Sequence, residues 1–234
     1  MNSVPQNPNA GLLSSAVQRL APILDRIVFV GGCATGLLIT DLAAAPIRPT
    51  LDVDAIVELA SYAALIALEE ELQHLGFQHA VAEGAPVCRW IQQELVLDLM
   101  PTDPAILGFS NRWYRQAMQE AALAQVGNYR IRLITASCFL ATKLEAFHGR
   151  GRSDYRMSRD VEDIIAVLDG RPEIVAEFER TDPKVRQYVR DEFSRLLEDR
   201  EFLESVPGYL LPDSASQRRL TIVMDRMRQI ARIT

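Results

Sequence analysis

The stretch IRPTLDVDAIV, residues 47–57, sets Asp52 and Asp54 one residue apart among Val and Ile, with Arg48 and Thr50 just ahead of them. In a strand, alternate side chains face the same way. Both carboxylates then point to one side of a sheet and repel unless a cation sits there. Upstream, RIVFVGG (26–32) reads as a short buried strand ending in a glycine pair. Residues 34–45, rich in Ala and Leu, read as a helix stopped before Pro46. The order strand, glycine turn, helix, acidic strand points to an α/β core.

Further along, residues 62–75 read as an amphipathic helix closed by Gly76. FQHAVAEG (77–84), PVCRWIQ (86–92) and ELVLDLMP (94–101) read as three short strands, the last two joined in hairpin fashion through Gln92, Gln93 and Glu94. Residues 12–26 have helical spacing, 111–125 read as a helix and 129–135 as one more strand. From Ala136 the chain reads as almost wholly helical, in segments 136–151, 158–170, 172–180, 183–203 and 215–233. The expected fold is α/β (α+β): a mixed β-sheet flanked by helices, followed by a C-terminal helical domain. The expected division is a loose tail over 1–10, an α/β domain over 11–134 and a helical domain over 135–234.

Composition narrows the function. The 234 residues are 48% hydrophobic and 24% charged, as in ordinary globular proteins. A formal net charge of −6 argues against nucleic-acid binding through overall charge. Cys33, Cys88 and Cys138 have no paired spacing, which speaks against zinc or a disulfide framework and for a reducing compartment. The N-terminal MNSVPQNPNAG lacks the features of a signal peptide, and the apolar run 27–45 is broken by Gly31, Gly32, Gly36 and Asp41. A cytoplasmic protein without a membrane partner is expected.

Asp98 is a third acid, set among Leu and Val on a strand that should be buried. Together Asp52, Asp54 and Asp98 form an all-oxygen ligand set suited to Mg²⁺ or Mn²⁺. Two readings are open here: a metal site, or structural salt bridges from Asp52 or Asp98 to Arg48 or Arg89. Gly31 and Gly32 end a strand and open a helix, so their N–H groups and the helix dipole can receive a phosphate. The spacing is neither a dinucleotide fingerprint nor a P-loop. A phosphate cradle next to a metal site means phosphoryl or nucleotidyl transfer.

The stretch GGCATGLLITDLAAAPIRPTLDVDAIV (31–57) resembles the first two motifs of the nucleotidyltransferase superfamily. It is most similar to the AbiEii-type branch, whose members include toxins of type IV toxin–antitoxin systems. ATKLEAFHGRGRSDYRMSRDVEDIIAVLDGR (141–171) resembles that branch's second signature, a helical Lys, then an Arg, then an Asp-x-x-Asp helix. The resemblance implies a nucleotidyltransferase-like fold and transfer of a nucleoside monophosphate from a nucleoside triphosphate to an acceptor (RNA, protein or a small molecule), with an antitoxin protein as partner if the chain is a toxin. It implies that Asp52, Asp54 and Asp98 hold metal ions and that Lys143 binds the nucleotide.

Cys33 stands where many relatives carry Ser or Thr, whose hydroxyl bonds a phosphate; Thr35 is the alternative hydroxyl. A thiol donates weakly, so a second reading is a non-catalytic nucleotide- or partner-binding module. Arg48, Thr50, Arg150 and Asp160 complete the expected nucleotide-binding set, with Lys143 or Arg150 paired to Asp160 across two helices. Arg150, Arg152, Arg156 and Arg159 form either a basic lip for a substrate or a solvated loop.

Overall fold

A computed structural model describes residues 7–149 and 154–233. In chain order these carry α1 (Ala10–Arg19), β1 (Ile27–Val30), α2 (Gly31–Leu38), β2 (Asp52–Val57), α3 (Tyr62–His74), β3 (Gln78–His79), β4 (Arg89–Gln92), β5 (Leu95–Pro101), α4 (Pro104–Leu107), α5 (Tyr114–Gln119), β6 (Ala122–Val126) and β7 (Tyr129–Leu133). Then follow α6 (Ala136–Gly149), α7 (Arg159–Gly170), α8 (Ile174–Phe178), α9 (Pro183–Glu198), α10 (Arg200–Ser205), α11 (Ser214–Arg218) and α12 (Leu220–Ile230). The expected mixed sheet with helices, followed by helical structure, is present. The chain divides into two compact units, one of residues 8–36 and 48–135, the other of residues 37–47 and the described part of 136–234.

The first unit is built on a mixed sheet in the order β3-β4-β5-β2-β1-β7-β6. β1 runs antiparallel to β2 and sets Val30 opposite Asp54. β2 runs parallel to β5 and sets Asp54 beside Asp98, while β4, antiparallel to β5, sets Arg89 opposite Asp98. The central strands are apolar because they are covered on both faces: all four residues of β1 are buried, as are Val53, Ala55, Leu97 and Leu99. Asp52 and Asp54 interrupt this on the other face of β2. The turn joining β4 to β5 has only Gln93 and Glu94 between the paired Gln92 and Leu95. Arg19 of α1 pins it, donating to the Gln92 carbonyl at 2.8 Å, to Gln92 Oε1 at 3.0 Å and to Gln93 Oε1 at 3.0 Å. Such a turn fixes register.

Several elements differ from the sequence reading. Residues 122–125, expected as the end of a helix, belong instead to β6, which pairs with β7 through a two-residue turn at Gly127 and Asn128. Gly127 has φ +56°, the left-handed conformation that such turns require. The strand expected over 77–84 shrinks to Gln78–His79. The long helix expected over 183–203 breaks at Asp199, whose carboxylate accepts from the N–H groups of Glu201 and Phe202 and so starts a new helix. Asn9, assigned to the loose tail, is buried.

In the second unit, every residue of α6 from Ala136 to Leu144 is buried, so this helix is enclosed all round. Val161, Ile164 and Leu168 of α7, Val185, Val189 and Phe193 of α9, and Val223, Met227 and Ile230 of α12 complete the core. Residues 39–45, expected to continue the preceding helix, instead leave it, and the chain here bonds to the end of α7. Thr40 and Asp41 N–H both donate to the Gly170 carbonyl at 2.9 Å, and Arg171 donates to the Leu38 carbonyl at 2.7 Å. Arg219 ties this segment down, donating to Asp41 at 2.6 Å, to the Asp169 carboxylate at 2.6 Å and to the Asp169 carbonyl at 3.0 Å. Among the described residues no helix is long and apolar enough to cross a membrane.

Asp169 is nearly inaccessible, so removing Arg219 leaves a buried charge without its hydrogen-bonded cation, with only the field of Arg226, which bonds its carbonyl, to offset it. Arg219→Ala should lower the unfolding free energy of this unit by about 3–5 kcal/mol, and Asp169→Asn in that background should recover part of the loss. Urea denaturation of the three proteins checks both.

Candidate active site

The site begins with Gly31, at the junction of β1 and α2. Its φ of +65° is left-handed, and a Cβ there would lie 2.0 Å from Asp54 Oδ2. Only glycine allows both the backbone turn and the approach of the carboxylate. The antiparallel register of Val30 with Asp54 brings the two together, so the acid of β2 lies against the first turn of α2, where backbone N–H groups face outward. Gly32 is open for a different reason: a Cβ would meet Arg48 Nη2 at 2.9 Å and Thr50 Cβ at 3.7 Å. The start of α2 thus lies between a carboxylate and a guanidinium.

Asn9 shapes the loop before β2. It donates to the Arg48 carbonyl at 3.2 Å and accepts from the Thr50 N–H at 2.9 Å. Thr50 then donates its hydroxyl to Asp52 Oδ1 at 2.8 Å. Arg89 holds the remaining acids. Its Nε donates to Asp98 Oδ1 at 2.8 Å and its Nη2 to Asp98 Oδ2 at 2.7 Å, a two-point fork; Nη2 also reaches Asp52 Oδ2 at 3.2 Å. The hydrogen bond to Asp98 raises the Arg89 pKa further above its already high value. The structure therefore shows the Arg89 salt bridge that the sequence left as one of two readings. Among the described residues no three His, Cys, Asp or Glu side chains stand as a ready-made metal cluster.

Cys33 is buried in the first turn of α2. Burial, then the charges of Asp54 and Asp52, push its thiol up to about 12. Cys88 is likewise raised to about 12, chiefly by burial and then by Asp98. Thr35 does not replace the missing hydroxyl, since it turns back on its own helix and donates to the Gly31 carbonyl at 3.4 Å. What α2 offers a ligand is therefore its backbone N–H groups, with the thiol buried behind them.

The helical signature forms a cluster of its own in the second unit. Lys143 Nζ lies 2.6 Å from Asp163 Oδ2 and 3.5 Å from Asp160 Oδ1, with all three side chains buried. Lys143 is on α6 and both acids are on α7, one turn apart, so one ammonium joins the two helices through two carboxylates. Its shorter bond is to Asp163 rather than to the expected Asp160. Arg150 and Arg152 lie outside the described residues. Arg156 and Arg159 are exposed. Arg89 and Asn9 were not in the expected site. For Arg89 a signal existed, because a two-residue turn after Gln92 places it opposite Asp98; for Asn9 none did.

No family model matches the chain, and no curated protein matches it. Among solved structures, an antigenic nucleotidyltransferase-like protein from Paracoccidioides brasiliensis superimposes with a TM-score of 0.51 at 17% identity, covering 91% of this chain and 98% of that one. The fold is nucleotidyltransferase-like. Two structures from H. pylori, a proposed nucleotidyltransferase and the protein JHP933, are each 12% identical, cover 95% of this chain and 93% and 90% of their own, and have TM-scores of 0.49 and 0.46.

Two outcomes follow from this geometry. Gly31→Ala forces a left-handed residue with a side chain and drives Asp54 aside; thermal unfolding should show a loss of at least about 1–2 kcal/mol from the backbone alone. With pKa values of about 12, only about one part in a thousand of Cys33 or Cys88 is thiolate at pH 9. Both should stay unmodified by iodoacetamide in the native protein at that pH and react once it is unfolded in urea, as peptide mass mapping would show.

Proposed function

We propose that this protein is a Mg²⁺- or Mn²⁺-dependent nucleotidyltransferase of the AbiEii-type branch, moving a nucleoside monophosphate from a nucleoside triphosphate to an acceptor hydroxyl. The observation that carries this reading is the contact of Asp54 with Gly31, which sets a carboxylate against the first turn of a helix able to receive phosphate. Asp52 and Asp54 fit a divalent ion by the chemistry of their donors, two carboxylates on one face of β2. Bound there, the ion supplies neutralisation of the phosphate oxygens and polarisation of the reacting phosphorus.

The chain's own groups do the rest. The N–H groups opening α2 and the Arg48 guanidinium above Gly32 receive the phosphates and fix their orientation. Thr50, held by Asn9, aims Asp52. Cys33, kept protonated first by burial and then by the charges of Asp54 and Asp52, adds no negative charge to the cradle. Asp98 is assigned as third ligand or as base toward the acceptor hydroxyl, roles that require Arg89 to release it. The role given to Lys143 toward the triphosphate rests on the sequence resemblance; what the geometry adds is that Asp163 and Asp160 hold its ammonium in place.

A second reading, a nucleotide-binding module without turnover, is favoured by one observation: both oxygens of Asp98 are engaged by Arg89. Two measurements separate the readings. Asp52→Asn combined with Asp54→Asn should reduce Mg²⁺-dependent release of pyrophosphate by at least about 10²-fold while circular dichroism stays unchanged. Calorimetry with ATP, GTP, CTP and UTP, with and without Mg²⁺, should show metal-dependent binding of at least one nucleotide. Binding without any turnover in the wild type identifies the module.

A further inference from the structure

All four carboxylate oxygens of Asp52 and Asp98 already accept hydrogen bonds: Asp52 Oδ1 from Thr50, and Asp52 Oδ2 and both Asp98 oxygens from Arg89. A guanidinium fork on a carboxylate is among the stronger charge-assisted pairs, and the Asp98 side chain is 11% exposed, so the pair is little screened. A divalent ion on Asp98 meets this guanidinium at the same oxygens, cation against cation. The two compete for one seat.

The placement of Arg89 suits it to vacate that seat. It is the first residue of β4, following residues 80–88, which form no helix or strand. Its side chain is 29% exposed and so opens onto solvent. The guanidinium can therefore swing away while the β4–β5 ladder stays paired.

We propose that Arg89 is a built-in competitor of the divalent cation, holding Asp98 and Asp52 until an incoming triphosphate draws the guanidinium away and lets the ion load. The proposal rests on the nucleotidyltransferase reading and gives Arg89 a positioning role within it. Nucleotide and metal then bind with positive coupling that passes through one side chain. In the nucleotide-free protein the ion is weakly held, and the polyanion both adds ligands to the metal and supplies Arg89 with new partners.

The test is Mn²⁺ binding, read by the electron paramagnetic resonance signal of free Mn²⁺, on the full chain with and without a non-hydrolysable triphosphate. Arg89→Gln keeps a hydrogen-bonding side chain without the charge, and Arg89→Lys keeps the charge without the fork. In the absence of nucleotide, Arg89→Gln should tighten Mn²⁺ by about tenfold or more; Arg89→Lys should fall between it and wild type, and adding Asp52→Asn and Asp54→Asn should abolish the gain. The nucleotide should enhance Mn²⁺ binding less in Arg89→Gln than in wild type. Unchanged or weaker Mn²⁺ binding in a folded Arg89→Gln overturns the role of Arg89 and leaves the nucleotidyltransferase reading standing. If Arg89→Gln does not fold, Arg89→Lys decides alone, and affinity equal to wild type overturns the role. Absence of Mn²⁺ binding in every form, with nucleotide present, overturns both.

Discussion

Three carboxylates on one face of an apolar sheet require a compensating cation, and much of the first unit serves to bring Arg89 to them. Asp52 and Asp54 share a face because they alternate along β2. Asp98 joins them because β5 runs parallel to β2 in register. Arg89 arrives because a turn of two residues fixes β4 against β5, and Arg19 holds that turn from α1. Without the guanidinium, the low exposure of Asp98 would make its charge costly. Asp54 is placed by a different contact, against the bare backbone of Gly31.

The second unit solves the same problem in helices. Lys143, on a helix enclosed all round, is offset by Asp163 and Asp160 on α7. Arg219 does the same for Asp169 and Asp41 and, with the Gly170 carbonyl, holds residues 39–47. In each cluster a cation joins acids from one or two elements, so the charge both satisfies its partners and determines which elements meet. Breaking such a set is costlier than its net contribution suggests, because one partner is left buried and unpaired.

Much of this was legible in the residues. Alternation around Asp52 and Asp54 announced the acid face, the pair Gly31–Gly32 announced the strand-to-helix turn, and the apolar setting of Asp98 announced a charge in need of a partner. Where local signals competed, legibility failed. Residues 122–126 have helix-forming Ala, Leu and Gln but pair as a strand because the Gly127 turn brings β7 alongside. Residues 39–45 look helical by composition, but Thr40 and Asp41 give their N–H groups to a carbonyl about 130 residues away. Asn9 looked like tail because nothing in its neighbours shows that the loop before β2 needs its amide.

The sequence by itself determined what each segment presents: which side chains share a strand face, where the backbone must turn left-handed, and which acids stand in apolar surroundings. These follow from the periods of strand and helix and from the steric freedom of glycine, which act over a few residues. Only the tertiary structure decided which charges meet beyond a local hairpin. The local hairpin sets Arg89 opposite Asp98, but the reach of Arg89 on to Asp52, and the choice between Asp160 and Asp163 for Lys143, depend on strand order and helix packing, set by burial of the whole core. Local periodicity carries no record of which elements become neighbours.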